Sequence, residues 1–102
     1  MLIVLTSCGS TVEANSLARL AVSRKLAACV QILPSVESVY EWKGKVVTEE
    51  ECLLLFKTDR ETYSLLEDFI KTEHSYEVPE IAAVDVSEVS EEYASWLNGV
   101  LR

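Results

Sequence analysis

The sequence predicts a mixed domain of the α/β (α+β) kind, with the order β-α-β-β-α-β and one further helix at the end. Three observations carry that expectation. Apolar β-branched runs alternate with stretches of helical periodicity along the 102 residues. A long extended stretch, Ala27 to Lys57, is interrupted only by Lys43-Gly44-Lys45, a hairpin turn with Gly where a positive φ is needed. Helix starts are marked by Ser10-Thr11-Val12-Glu13 and by Ser90 followed by Glu91 and Glu92.

Taken in order, Leu2 to Ser7 reads as a short strand buried on both faces, broken by Gly9. Ser10 and Glu13 form a capping box that opens a helix running to about Leu26. Ala14, Leu17, Ala18 and Ala21 make its small-residue inner face. Arg24 and Lys25 near its end suit the helix dipole. Ala28, Val30 and Ile32 then alternate with Cys29, Gln31 and Leu33, and Pro34, which has no amide to donate, marks an edge, a bulge or a bend. The returning strand, Val46 to Lys57, has an exposed acidic first half, Thr48-Glu49-Glu50-Glu51, and a core half from Cys52 to Phe56. Thr58-Asp59-Arg60-Glu61 matches a second capping box for a helix to about Thr72, with Leu66, Phe69 and Ile70 inward. A polar loop from Glu73 to Glu80 leads to a fourth strand, Ile81 to Val86. The last helix places Tyr93, Trp96, Leu97, Val100 and Leu101 on one stripe. This is the split βαβ, or ferredoxin-like, order with a long central hairpin and an added C-terminal helix, one domain over residues 1–102.

Two strands of about ten residues or more exceed the usual five or six, so the hairpin forms an arm that needs another chain to cover it. That is the residue-level argument for an oligomer. Hydrophobic residues make up 49% of the chain and charged residues 25%, a globular balance. Residues 1–48 hold three acids and five bases, and residues 49–102 hold fourteen acids and four bases. With no basic run or aromatic-basic stripe, nucleic-acid binding is disfavoured. The apolar Met1 to Leu5 lacks a basic flank and is too short for a signal segment or a membrane span. Cys8, Cys29 and Cys52 form no C-x-x-C pair, which fits free thiols and a cytoplasmic location.

His74 is the only histidine. A neutral imidazole suits Cu²⁺, Zn²⁺ or Ni²⁺, with Glu73, Glu77 or Glu80 as nearby oxygen donors, but no metal-motif spacing supports this. The plainer reading is a solvent-exposed loop histidine. Cys29 reads as an inert thiol, since its only available base is His74. Cys52 reads as core and Cys8 as a loop thiol open to oxidation. Tyr40 and Trp42, near the hairpin tip, would line a ligand pocket or anchor a neighbouring subunit, the anchor being favoured. No phosphate-cradling glycine loop and no nucleophile–base pair stand out, so the residues do not point to an enzyme.

Five stretches together resemble the CutA family of divalent-cation tolerance proteins. They are Lys25-Leu26-Ala27-Ala28-Cys29-Val30-Gln31, Tyr40-Glu41-Trp42-Lys43-Gly44-Lys45, Leu55-Phe56-Lys57-Thr58, His74-Ser75-Tyr76-Glu77-Val78-Pro79-Glu80-Ile81 and Tyr93-Ala94-Ser95-Trp96-Leu97. The resemblance implies a homotrimer with the hairpins packed across subunits, and a non-enzymatic role in tolerance of divalent metal ions, copper above all. It equally implies a likeness to trimeric PII signalling proteins, hence small-ligand sensing, with a scaffold for partner proteins as another alternative. The metal candidates that follow are His74, Glu73 and Cys29. The cleft candidates, at the subunit boundary, are Tyr40, Trp42, Lys57, Tyr76 and Glu80. In the family a cysteine closes the first strand; its position here holds Thr6.

Overall fold

The computed structural model describes all residues from Met1 to Arg102. Its elements are β1 (Leu2–Cys8), α1 (Thr11–Ser23), β2 (Cys29–Trp42), β3 (Lys45–Thr58), α2 (Tyr63–Glu73), β4 (Ala82–Asp85) and α3 (Glu91–Leu101). The sheet order is β2-β3-β1-β4, with every neighbouring pair antiparallel. The mixed α/β architecture is therefore the one the sequence predicts.

Strand alternation builds the core. Val4, Thr6 and Cys8 of β1 and Cys52, Leu54 and Phe56 of β3 point to one face and are buried. Onto them pack Ala14, Leu17, Ala18 and Ala21 of α1 and Leu66, Phe69 and Ile70 of α2. Small residues on α1 let its backbone lie close to the sheet, and each large core side chain contributes about 1.5–3 kcal/mol by leaving water. A second, smaller cluster joins Leu97 and Leu101 of α3 to Ala28, with Met1, Tyr93 and Val100 alongside. Trp96 departs from the expected stripe: it is nearly half exposed and leans on Tyr93, 5.5 Å between ring centroids.

Local signals were read correctly at Ser10 and Ser90, whose hydroxyls accept the amides of Glu13 and Tyr93. Elsewhere tertiary contacts moved the boundaries. α1 stops at Ser23 instead of Leu26 because Lys25 turns left-handed, φ 57°. The amide of Leu26 then reaches the carbonyl of Ala21 (2.8 Å) and that of Lys25 reaches Val22 (3.0 Å), a Schellman closure. Glycine is the residue best suited to that conformation, so Lys25→Gly should raise stability by about 0.5–1 kcal/mol. Urea unfolding checks this, and a lower midpoint would contradict it.

Thr58-Asp59-Arg60-Glu61 is not a capping box. Thr58 is the last residue of β3, and its hydroxyl donates to the carbonyl of Leu26 (2.8 Å). Asp59 instead accepts the Thr62 amide (2.9 Å) in a turn, and α2 begins only at Tyr63. Burial pushes the Asp59 carboxyl up, but hydrogen bonds from Thr62 and Arg102 outweigh it and hold the group below its usual value. Cys8 is not in a loop either. It closes β1, lies directly opposite Cys52 and is fully buried, and burial chiefly pushes its thiol up to about 11.

β2 and β3 are each 14 residues long and pair along almost their whole length. The turn at their tip is two residues, Lys43 (φ 51°) and Gly44 (φ 79°), the left-handed pair that matches strand twist. Leu33 pairs with Leu53 but Val36 pairs with Glu51, so Pro34 and Ser35 together stand opposite Cys52 alone. That is a β-bulge, with Ser35 at φ 58°. One extra residue reverses the parity of everything beyond it. Val30 and Ile32 share the face of Phe56 and Leu54, whereas Tyr40 and Trp42 share the face of Val47 and Lys45. The arm stretches the molecule to 45 × 26 × 22 Å, with a radius of gyration of 14.3 Å. A compact chain of this size has a radius of about 13 Å.

Candidate functional site

The site is built around the end of β1 and the loop after α2. His74 caps α2 in an extended conformation, its amide bonded to the Ile70 carbonyl at 2.9 Å. Its side chain has no exposed surface, contrary to the solvent-exposed loop histidine expected from the sequence. Nε2 lies 2.8 Å from the carbonyl oxygen of Ser7, and Nδ1 accepts the amide of Tyr76 at 3.0 Å. A carbonyl can only accept and an amide can only donate. The geometry therefore requires the neutral tautomer protonated on Nε2. Both ring nitrogens are occupied, and as a metal ligand His74 would first have to give up one of these bonds.

Glu13 holds the same loop from the other side. Its carboxylate does not return to the Ser10 amide as a full capping box requires. It accepts from the amide and the hydroxyl of Ser75, both at 2.8 Å, and lies 3.6 Å from His74 Nδ1. The α1 helix start and the loop are thus tied together.

Tyr76 extends this chain of contacts. Its ring centroid is 4.7 Å from that of His74, and its hydroxyl donates to Glu51 Oε2 at 2.6 Å. Burial first, then the Glu51 carboxylate, pushes the Tyr76 hydroxyl well above its usual value, so it stays a donor at neutral pH. Glu51 is only 8% exposed, a correction to its place in a solvated acidic run. No basic side chain of this chain pairs with it, since the ion pairs involve Arg60, Lys71, His74 and Arg102 only. A buried carboxylate with one neutral hydrogen-bond donor and no counter-charge is costly unless something else supplies the charge.

Glu51 and Tyr76 form the inner wall of a cleft of about 570 Å³, completed by Ser7, Tyr40, Trp42, Glu77, Val78 and Glu80. Tyr40 donates its hydroxyl to Glu49, a bond that raises the Tyr40 hydroxyl above its usual value. Of the cleft residues expected from the sequence, Tyr40, Trp42, Tyr76 and Glu80 do come together. Lys57 and Cys29 do not. They pair with each other at the far end of the hairpin, where Lys57 also pairs with Ile3 and its Nζ sits 6.0 Å from the Tyr93 ring. Ser7 lies four strand steps beyond Ile3, roughly 13 Å. Cys29 is likewise removed from His74, while Glu73 is exposed at the end of α2. Within one chain no three His, Cys, Asp or Glu side chains converge on a point where a metal ion could sit.

Sequence reasoning missed Glu51, Ser7 and Glu13. The signal available for Glu51 was its position next to the core residue Cys52, at the inner end of the acidic run.

The model of the family described as CutA1 divalent ion tolerance protein matches residues 2–100 of this chain. The chain belongs to that family. It is 41% identical over 95 residues to the divalent-cation tolerance protein CutA of Thermus thermophilus, covering 93% of this chain and 92% of that one. It is 37% identical to human protein CutA over 92% of this chain and 52% of the human protein. Among solved structures, CutA from Xylella fastidiosa superposes with a TM-score of 0.96 at 34% identity, covering 99% of this chain and 97% of that one. The Thermus thermophilus structure gives 0.91 at 41% identity, covering 95% of each chain.

Proposed function

We propose that the protein is a non-enzymatic, homotrimeric divalent-cation responder of the cytoplasm, and that the Glu51–Tyr76 cleft is where the cation is taken up, Cu²⁺ foremost. The observation that carries this reading is Glu51, a buried carboxylate without a counter-charge that faces a cavity holding two further carboxylates, Glu77 and Glu80. The names of the relatives, divalent-cation tolerance proteins, supply the ligand class. One chain leaves the coordination incomplete, so the remaining donors come from a second copy at the mouth of the cleft.

The trimer rests on the arm. Val39, Trp42 and Val46 are more than half exposed near its tip. Ile3, Leu5, Leu53 and Leu55 are half-buried in the single chain. Covering this surface is the natural reason for an arm longer than its own domain needs. The aromatic walls of the cleft favour the second reading, a small-ligand sensing module that uses the same cavity.

Sedimentation equilibrium should give three chains per particle, and a monomer at micromolar concentration would remove the basis for a shared site. Calorimetric titration of the assembled protein with Cu²⁺ should show affinity falling by about tenfold or more in Glu51→Gln. Unchanged affinity there, with loss in His74→Asn, would return the site to the set of His74, Glu73 and Cys29.

A further inference from the structure

We propose that the cleft is an organic-ammonium site, shaped for a flexible cation carrying two or more positive charges of the polyamine type. This rests on the reading of the cleft as a ligand site and names what it would prefer. Its carboxylates alone would suit any cation. What distinguishes it is the wall: three aromatic side chains, Tyr40, Trp42 and Tyr76, face the same cavity as Glu51, Glu77 and Glu80.

A small hydrated metal ion gains little from aromatic faces, whereas an alkylammonium gains twice. Its charged nitrogen is attracted to the ring faces, and its methylene chain covers apolar surface. The volume of about 570 Å³ is that of a small-molecule pocket and far exceeds a single ion. The tyrosine hydroxyls are not free to hydrogen-bond a ligand carbonyl or phosphate. Tyr76 donates to Glu51 and Tyr40 donates to Glu49, which fixes the rings and leaves the carboxylates as acceptors. Trp42 already attracts a cation of its own chain, the Lys43 ammonium, 5.9 Å from the ring centroid. Glu51, nine-tenths buried and without a basic partner, sets the innermost ammonium position. The exposed Trp42 at the rim sets the outer one.

The test titrates spermidine, choline, MgCl₂ and, separately, CuCl₂ into the assembled protein at constant ionic strength, followed by calorimetry. Spermidine should bind saturably and more tightly than either comparator. Trp42→Ala and Glu51→Gln should each weaken it by about tenfold, while Trp42→Phe keeps most of the affinity. Trp42 is 61% exposed in the single chain but also belongs to the surface assigned to the trimer, so its variants are compared only where circular dichroism and sedimentation both match the parent protein. Spermidine affinity that is indifferent to Trp42→Ala and matched by Mg²⁺ would overturn the inference. Binding of Cu²⁺ without binding of spermidine would also overturn it and leave the metal reading standing. Binding of neither would overturn both.

Discussion

Replacing His74 by alanine should lower the unfolding free energy by about 2–4 kcal/mol, whatever its effect on metal binding. The imidazole supplies the Ser7 carbonyl with a donor and the Tyr76 amide with an acceptor, and it is fully enclosed. Alanine supplies neither, and each deserted buried group costs about 1–3 kcal/mol. The loss should be cooperative with the site. The Ser7 end of β1 and the Tyr76 loop are held together through this ring, so the Tyr76–Glu51 bond loosens with it. His74→Gln, which keeps an acceptor and a donor, should recover part of the stability. Equilibrium urea unfolding decides the matter. A change under about 0.5 kcal/mol, the size of an ordinary surface substitution, would mean that the ring is not a strut.

Excising Ser35 should have the largest effect on the arm. The residue is the extra member of the bulge, two residues of β2 standing against one of β3. Without it, Pro34 alone stands opposite Cys52 and Val36 to Trp42 keep their partners in β3, so the faces are unchanged but the bend and added twist that the bulge gives the arm are lost. Tyr40 and Trp42 stay on the face of Val47 and Lys45, but the straightened arm carries them away from Tyr76 and opens the cleft. The domain core, built from α1, α2, β1 and the inner half of β3, does not use these residues. The expected outcome is a folded chain with near-native far-ultraviolet dichroism that has lost saturable cation binding and trimer formation together. Retention of both would show that the arm's outer half does not depend on the bulge for its direction.

The two variants separate contributions that the sequence presents as one motif. His74 to Glu80 is contiguous in the chain, yet its members act differently. His74 is turned inward as a brace, Tyr76 spans brace and cleft, and Glu77, Val78 and Glu80 line the opening. Composition makes this run a polar loop. Only the carbonyl of Ser7, supplied from 67 positions away, explains why a histidine can be enclosed there.

Helix faces and strand alternation were legible because their causes are local. Ala14, Leu17, Ala18 and Ala21 recur at helical spacing, and the hydroxyls of Ser10 and Ser90 cap within their own first turns. The interruption at Pro34 was legible for the same reason, since a residue without an amide cannot continue a ladder. Misreadings fell where a local pattern met a distant partner. Thr58 and Glu13 carry capping-box spacing, but the Leu26 carbonyl claims the first and Ser75 the second. Lys57 and Cys29 were grouped with the cleft although register sets them at the other end of the hairpin.

By itself, then, the sequence determined the element order, the inward faces of the helices, the length of the arm and the family. The first three follow from periodicity, capping and turn chemistry within a few residues, and the family from the resemblance of whole motifs. The tertiary structure alone decided that Glu51 is buried and His74 enclosed, that the bulge turns Tyr40 and Trp42 toward Tyr76, and that Cys8 faces Cys52 inside the core. The physical reason is strand pairing. Which residues share a face and an end of the sheet depends on register between segments far apart in the chain, and a single extra residue reverses it.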